Sequence, residues 1–243
     1  GSILMAWFWL SVIPLLIVAY YGTYFLAFRG DRPGRSPLAV SWISAVFFLA
    51  IAFLYSNNMT LMLRPDLFAA KYLRSGAGLT LNLGDPTLYP RFLHMLLGAV
   101  AVAGMAVAHY GLSRLRRDPE FGDWAVRHGT AWFLVPTALN VLVGTWWLLA
   151  LPREVMLRFM GRSPYAAAVL GIGSLLGLAT LVLMAVWIHA RRPALLARIS
   201  GVALVLTLAA MILSRDEIRQ GMLERAGFRV QSWVEPQWGP ILI

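Results

Sequence analysis

The sequence predicts an all-α fold, a polytopic transmembrane helical bundle, on three observations. Hydrophobic residues make up 59% of the 243-residue chain and charged residues only 13%, with a mean hydropathy of +0.69. A soluble domain needs more charge than this to keep its surface wet. Several apolar runs reach or approach the ~20 residues that cross a hydrocarbon core. Basic residues gather in the short segments between those runs, where Lys and Arg act as topology signals.

Six complete spans and a truncated seventh are expected. The complete ones are Leu4–Phe28, Leu38–Ser56, Phe92–Leu112, Thr130–Leu151, Pro164–Ala190 and Ile199–Ser214. The seventh begins at Trp238 and is cut off at Ile243. Leu4–Phe28 has no short apolar region followed by a cleavage site, so it reads as a retained span. A chain that starts almost inside one span and ends inside another is expected to be longer in nature. Leu63–Ser75 sets Leu63, Leu67, Ala70 and Leu73 near one face and Arg64, Lys71 and Arg74 away from it, the pattern of a short helix lying at the interface. Arg153–Met160 and Asp216–Gly227 are similar and shorter. Gly171, Gly173 and Gly177 form a small-residue face suited to close helix packing. No repeat, low-complexity tract or linker divides the chain, so residues 1–243 read as a single integral membrane domain.

The formal net charge of +10 does not point to nucleic acid, because the basic residues are loop residues. The first, third and fifth loops carry Arg29, Arg32 and Arg35, then Arg114, Arg116, Arg117 and Arg127, then Arg191, Arg192 and Arg198. They are shorter and more densely basic than the even-numbered loops, which puts them in the cytoplasm and the N-terminus outside. Absence of cysteine removes disulfides, iron–sulfur clusters, thiolate zinc sites and covalent haem attachment. No P-loop, HExxH or GxSxG motif is present. None of the acids lies inside an expected span, which disfavours a proton-coupled transporter.

The four histidines are the candidate ligands. His94 lies near the outer face at the start of the third span, and His109 lies near the inner end of the same helix. Fifteen residues separate them, about 22 Å of helix and about 60° around its axis. His128 opens the fourth span and His189 closes the fifth, both on the inner side. That distribution matches one or two b-type haems, one near each face, each needing a second axial ligand from another helix. Met211, near the outer end of the sixth span, is the best-placed thioether for His94, with Met160 the alternative. His109 pairs with His128 or His189. Each also has a plainer role, a helix-end or headgroup-level histidine or a methionine filling the core. Arg91, Arg215 and Arg219 share the outer side, and Arg91, one turn before His94, suits a haem propionate. Trp146, Trp147, Trp233 and Trp238 read as an outer aromatic belt. Asn140, the main mid-span polar residue, is expected to hydrogen-bond across helices.

Asn57-Asn58-Met59 with Pro65 beyond, then Arg91-Phe92-Leu93-His94 followed by Gly98 and Gly104, carry a resemblance. The stretch from about Ser41 to Pro152 resembles subunit I of cytochrome bd-type quinol oxidases, through one four-residue motif and the order of elements. The resemblance implies that His94 ligates a low-spin b haem nearest the outer face, with a methionine opposite. The first span lacks the family's ligand to its oxygen-reducing haem, the quinol-binding loop has no counterpart, and the proton-path glutamates are missing. Glu217-Ile218-Arg219-Gln220 is faintly similar to a later segment of the family. A haem-bearing scaffold is therefore expected, and oxygen reduction by this chain alone is not.

Together these readings lead to an expected haem b-binding subunit of a respiratory electron-transfer complex in a bacterial inner membrane. It would pass electrons between quinone or quinol and a partner, with other membrane subunits and a periplasmic cytochrome as the expected partners. Whether the chain is itself an enzyme stays open. The alternative is a haem-free membrane anchor or assembly subunit of a redox complex.

Overall fold

A computed structural model describes residues 3–29, 35–189 and 194–228. The seventh apolar run from Trp238, and Trp233, lie outside the described residues. So do Arg32, Arg191 and Arg192. Among the described residues all regular structure is helical: α1 (Ala6–Arg29), α2 (Arg35–Met62), α3 (Pro65–Arg74), α4 (Leu88–Arg114), α5 (Pro119–Ala150), α6 (Arg153–Leu157), α7 (Pro164–His189) and α8 (Ala194–Arg225). One π-helical turn, Arg158–Arg162, joins α6 to α7. It is broken at Gly161, whose φ of 109° lies in the left-handed region that glycine tolerates.

Among the described residues six helices are long and apolar enough to cross a membrane: α1, α2, α4, α5, α7 and α8. Their outward residues are themselves apolar. Leu142, Leu175 and Ile212 are 68%, 69% and 66% exposed, which in water would be an unbroken liability and in lipid is the expected solvent-facing surface. The spans pack as three hairpins, α1 on α2, α4 on α5 and α7 on α8, with α5 also against α7 and α2 against α4.

Several helix boundaries differ from the sequence expectation. α5 begins at Pro119, eleven residues before Thr130, because Asp118 caps it and accepts from the Phe121 N–H at 3.1 Å, with Pro119 in the first turn. His128 is therefore inside a helix and not at its mouth. α8 runs without a break to Arg225, so Asp216–Gly227 is no separate interfacial helix, and the helix carries Asp216, Glu217 and Glu224. α3 does form, with no buried residue, as a surface helix should.

The tightest packing is between α4 and α5. A Cβ on Gly104 would stand 2.6 Å from the Phe133 backbone nitrogen, and one on Gly129 would collide with the Ala108 backbone. The obstacles are backbone atoms, which cannot swing aside. Without side chains at these positions the two helix backbones touch directly, the usual means of helix association where lipid removes the hydrophobic drive. On α7, Gly173 packs on Ala210 and Met211 and Gly177 on Thr207, whereas Gly171 is exposed with nothing within 4 Å.

Gly129→Val is expected to force α4 and α5 apart and destabilise the protein by about 1–3 kcal/mol or more. Gly171→Ala should leave stability unchanged or slightly raised, since alanine is the better helix former. Thermal unfolding of the two variants in the same detergent checks both.

Candidate functional site

One end of the bundle collects most of the buried polar groups among the described residues. It joins the last turns of α2, the first turns of α4, the C-terminal turns of α5 and the later part of α8. The loop before α4 builds its floor. Asp85 folds that loop by accepting from the Thr87 N–H at 2.9 Å and the Thr87 hydroxyl at 2.6 Å, an Asx turn that delivers the chain into α4. Pro90 follows in the first turn, where its missing N–H has no helical acceptor to lose. The Asn82 carboxamide donates to Thr60 Oγ1 at 3.3 Å and to Asp85 Oδ2 at 3.2 Å, and the Asn82 N–H donates to Asn57 Oδ1 at 3.1 Å. These bonds tie the loop to the end of α2. Backbone bonds from Trp7 to Gly78 and from Thr80 to Leu4 tie it to the start of α1.

Arg64 closes the rim of this floor. Its Nε and Nη2 donate to Asp66 at 2.9–3.2 Å, and Nη1 lies 3.7 Å from Asp85. The hydrogen bond from Arg64 holds the Asp66 carboxyl below the usual carboxylate range, against a smaller opposing effect of burial.

Arg91 and His94 sit one turn apart on the face of α4 that meets α5. The Arg91 guanidinium lies 5.3 Å from the Trp147 ring centroid, a cation–π contact. The His94 ring is 5.3 Å from Trp147 and tilted by 55°. Asn140 faces His94 with its backbone carbonyl and carboxamide. A Cβ at Gly144 would stand 3.2 Å from two imidazole atoms. Residues 140, 144 and 147 form one face of α5 by helical periodicity, and that face houses the imidazole. Several buried polar atoms here have no hydrogen-bond partner: Arg91 Nε, His94 Nδ1, Asn140 Oδ1, Trp147 Nε1 and Ser214 Oγ. Such atoms are rare in a folded protein and mark a place to examine for function.

Of the other candidates, none joins this cluster. His109 is engaged at both nitrogens, Nδ1 with the Met105 carbonyl and Nε2 with the Ala197 carbonyl, each at 2.9 Å. A neutral ring carries one N–H, which donates to one of the two carbonyls according to the tautomer, and the oxygen of the second carbonyl closes off the other nitrogen. His128 is exposed and stacks on Trp124 at 4.8 Å. His189 is exposed, with Nδ1 2.8 Å from the Ala185 carbonyl of its own helix. Met211 packs its methyl toward Gly173 of α7, and Met160 is 56% exposed in the π-helical turn. Among the described residues, no three His, Cys, Asp or Glu side chains converge as a metal-binding group.

Sequence reasoning set Trp146 and Trp147 together as a belt. Trp146 is exposed, whereas Trp147 turns inward to cover Arg91 and His94. Adjacent residues of one helix differ by about 100° around its axis, and only the register of α5 on α4 decides which of the two turns inward. Arg158 was also missed. It donates to the buried Glu217 at 3.1 Å and to Glu224 at 2.6 Å, pinning the π-helical turn to α8. Arg219, grouped earlier with Arg91, pairs instead with Asp216 at 2.9 Å.

No family model, curated protein or solved structure matches the chain.

Proposed function

We propose that the chain is a haem b-binding membrane subunit of a respiratory electron-transfer complex. It passes electrons between quinone or quinol and a partner redox protein in a bacterial inner membrane, with the N-terminus outside. The observation that carries this reading is the His94 imidazole, packed between α4 and α5 with its Nδ1 buried and unpartnered, one turn from a buried arginine. Gly144 supports it by leaving the imidazole room that any side chain would take.

The donor set offers a haem one imidazole ligand and one guanidinium. His94 would hold the iron and Arg91 would offset a propionate, while the bound group supplies one-electron chemistry. Burial among apolar helices lowers the local dielectric, and that together with the nearby guanidinium sets the potential. The resemblance of Arg91-Phe92-Leu93-His94 to a haem-ligating motif points the same way. The engagement of His109 at both nitrogens favours one haem over two.

A second reading, a haem-free anchor or assembly subunit of a redox complex, draws on a specific observation. The α5 face opposite His94 offers Asn140, Gly144 and Trp147, none of them a customary sixth ligand to iron.

A reduced-minus-oxidised spectrum of the purified chain is expected to show a b-type α band, lost in His94→Ala. A wild-type chain without that band leaves the anchor reading standing. Pyridine haemochrome stoichiometry should give about one haem per chain, and a value of two would restore a second site at His109. Met211→Leu and Met160→Leu test the sixth ligand. Loss of the low-spin spectrum in one variant assigns that thioether, and an unchanged spectrum in both excludes the pair.

A further inference from the structure

The end of the α4–α5 hairpin far from His94 carries exposed rings in contact with one another. Tyr110 of α4 meets Phe121 of α5 edge-on at 6.1 Å, and Phe121 meets Trp124 at 5.9 Å. Trp124 stacks on His128 at 4.8 Å, and His128 meets Trp132 at 6.1 Å. Residues 121, 124, 128 and 132 recur at three- and four-residue steps, so they form one stripe of the helix. All five rings are exposed.

α5 is also longer than a bilayer requires. Its 32 residues extend ~48 Å, against a hydrocarbon core of about 30 Å. The apolar run from Thr130 to Ala150 is enough to cross that core, which leaves the first three turns of α5 at the level of the headgroups. Phe121, Trp124 and His128 belong to those turns, and Trp132 lies at the edge of the hydrocarbon. Rings with a polar tip favour this boundary.

Charge at the same corner selects the headgroup. Arg114 sets its guanidinium 5.0 Å from the Tyr110 ring centroid, so the ladder of rings ends in a cation. Arg116 and Arg117 follow within three residues, both exposed. Among the described residues none of the three pairs with a carboxylate. Asp118 is turned to cap α5, and Asp123 pairs with Arg127 at 2.7 Å. Three arginines against Asp118 and Glu120 leave the turn basic. A guanidinium fork matches two phosphate oxygens, and an anionic lipid brings no cation of its own to offset them.

We propose that this corner is a docking surface for anionic phospholipid. The ring stripe seats against the glycerol and upper acyl region, while Arg114, Arg116 and Arg117 hold the headgroup phosphate.

The full chain is reconstituted into phosphatidylcholine vesicles in which brominated phosphatidylglycerol or brominated phosphatidylcholine replaces part of the lipid. Bromine quenches tryptophan fluorescence at contact, and subtracting the signal of Trp124→Phe/Trp132→Phe from wild type isolates the two indoles of the stripe. Brominated phosphatidylglycerol is expected to quench that component with a higher relative affinity, by about fivefold for each arginine engaged. Arg114→Gln/Arg116→Gln/Arg117→Gln should abolish the preference, and added salt should shrink it in wild type. Arg162→Gln, an exposed arginine at the opposite end of the bundle, should keep it. If the triple variant does not fold, Arg116→Gln/Arg117→Gln at two exposed positions decides. Equal quenching of wild type by the two lipids overturns the proposal, and so does a preference that the arginine variants leave intact. Quenching by neither lipid also overturns it, and assigns the stripe to a protein contact with a second copy of the chain.

Discussion

The direct contact of the α4 and α5 backbones at Gly104 and Gly129 governs the geometry of the site. In lipid, helices gain little from hiding apolar surface, so close packing and interhelical polar contacts must hold them together. The glycine contact fixes both the separation and the rotation of the two helices. Gly104 lies ten residues beyond His94 on α4. Once the register is set there, the residue types upstream have little freedom. His94 meets Gly144, and Arg91 meets Trp147. A bulkier residue at the seam would do more than open a gap, because it would carry the imidazole away from the α5 face that now houses it.

The polar groups at this end divide into two kinds. Asn57, Thr60, Asn82, Asp85 and Thr87 form a buried network in which each member donates to or accepts from another. Such a network rigidifies a loop that has little helix of its own and holds the start of α4 in place. Arg91 and His94 stand against that floor with unpartnered nitrogens. A buried cation without its counter-charge costs about several kcal/mol even after relaxation. The network is not closed either, since Asn57 Nδ2 and Asn58 Oδ1 are buried beside it without a partner, so the unpartnered groups at this end spread over α2, α4 and α5 and mark the whole of it for functional examination. Rigid support behind an exposed or unpaired ligand is also what a site with defined geometry requires.

The spans themselves were legible, because their signal is length and apolarity, and the bilayer imposes both. Their ends were not. Asp118 with Pro119 starts α5 well ahead of its apolar run, and α8 continues past Ser214 through charged residues. Hydropathy ends where the lipid ends, but a helix stops only where capping or packing stops it. The pairing of Arg91 with His94 on one face followed from their spacing and was visible in the sequence. Trp147 was not separable from Trp146, since neighbouring residues differ by about 100° around the axis and only the partner helix chooses between them. Asn140 was expected to reach across helices. It does face α4, at His94 and near Gly98, where its amide nitrogen lies 3.6 Å from the Cβ position.

His94 and His109 are the sharper lesson, being the same residue type on the same helix and about 60° apart by periodicity. Spacing alone makes them equivalent. What separates them is the acceptor each ring finds. His109 reaches the Met105 carbonyl on its own helix and the Ala197 carbonyl across at α8, with Trp187 stacked beside it at 6.4 Å. Contact with a carbonyl at each ring nitrogen makes it a strap between helices. At His94 the facing residues are Asn140, Gly144 and Trp147, and Nδ1 is left buried without a hydrogen-bond partner. Whether a membrane histidine serves as a strap or as a ligand is thus a competition between backbone carbonyls and anything else that could use the nitrogen. The carbonyls win wherever the packing brings them to within about 3 Å. Inside a helix every carbonyl is already committed to its own ladder, apart from a second lone pair. Local side-chain size decides whether an imidazole can get close enough to use it.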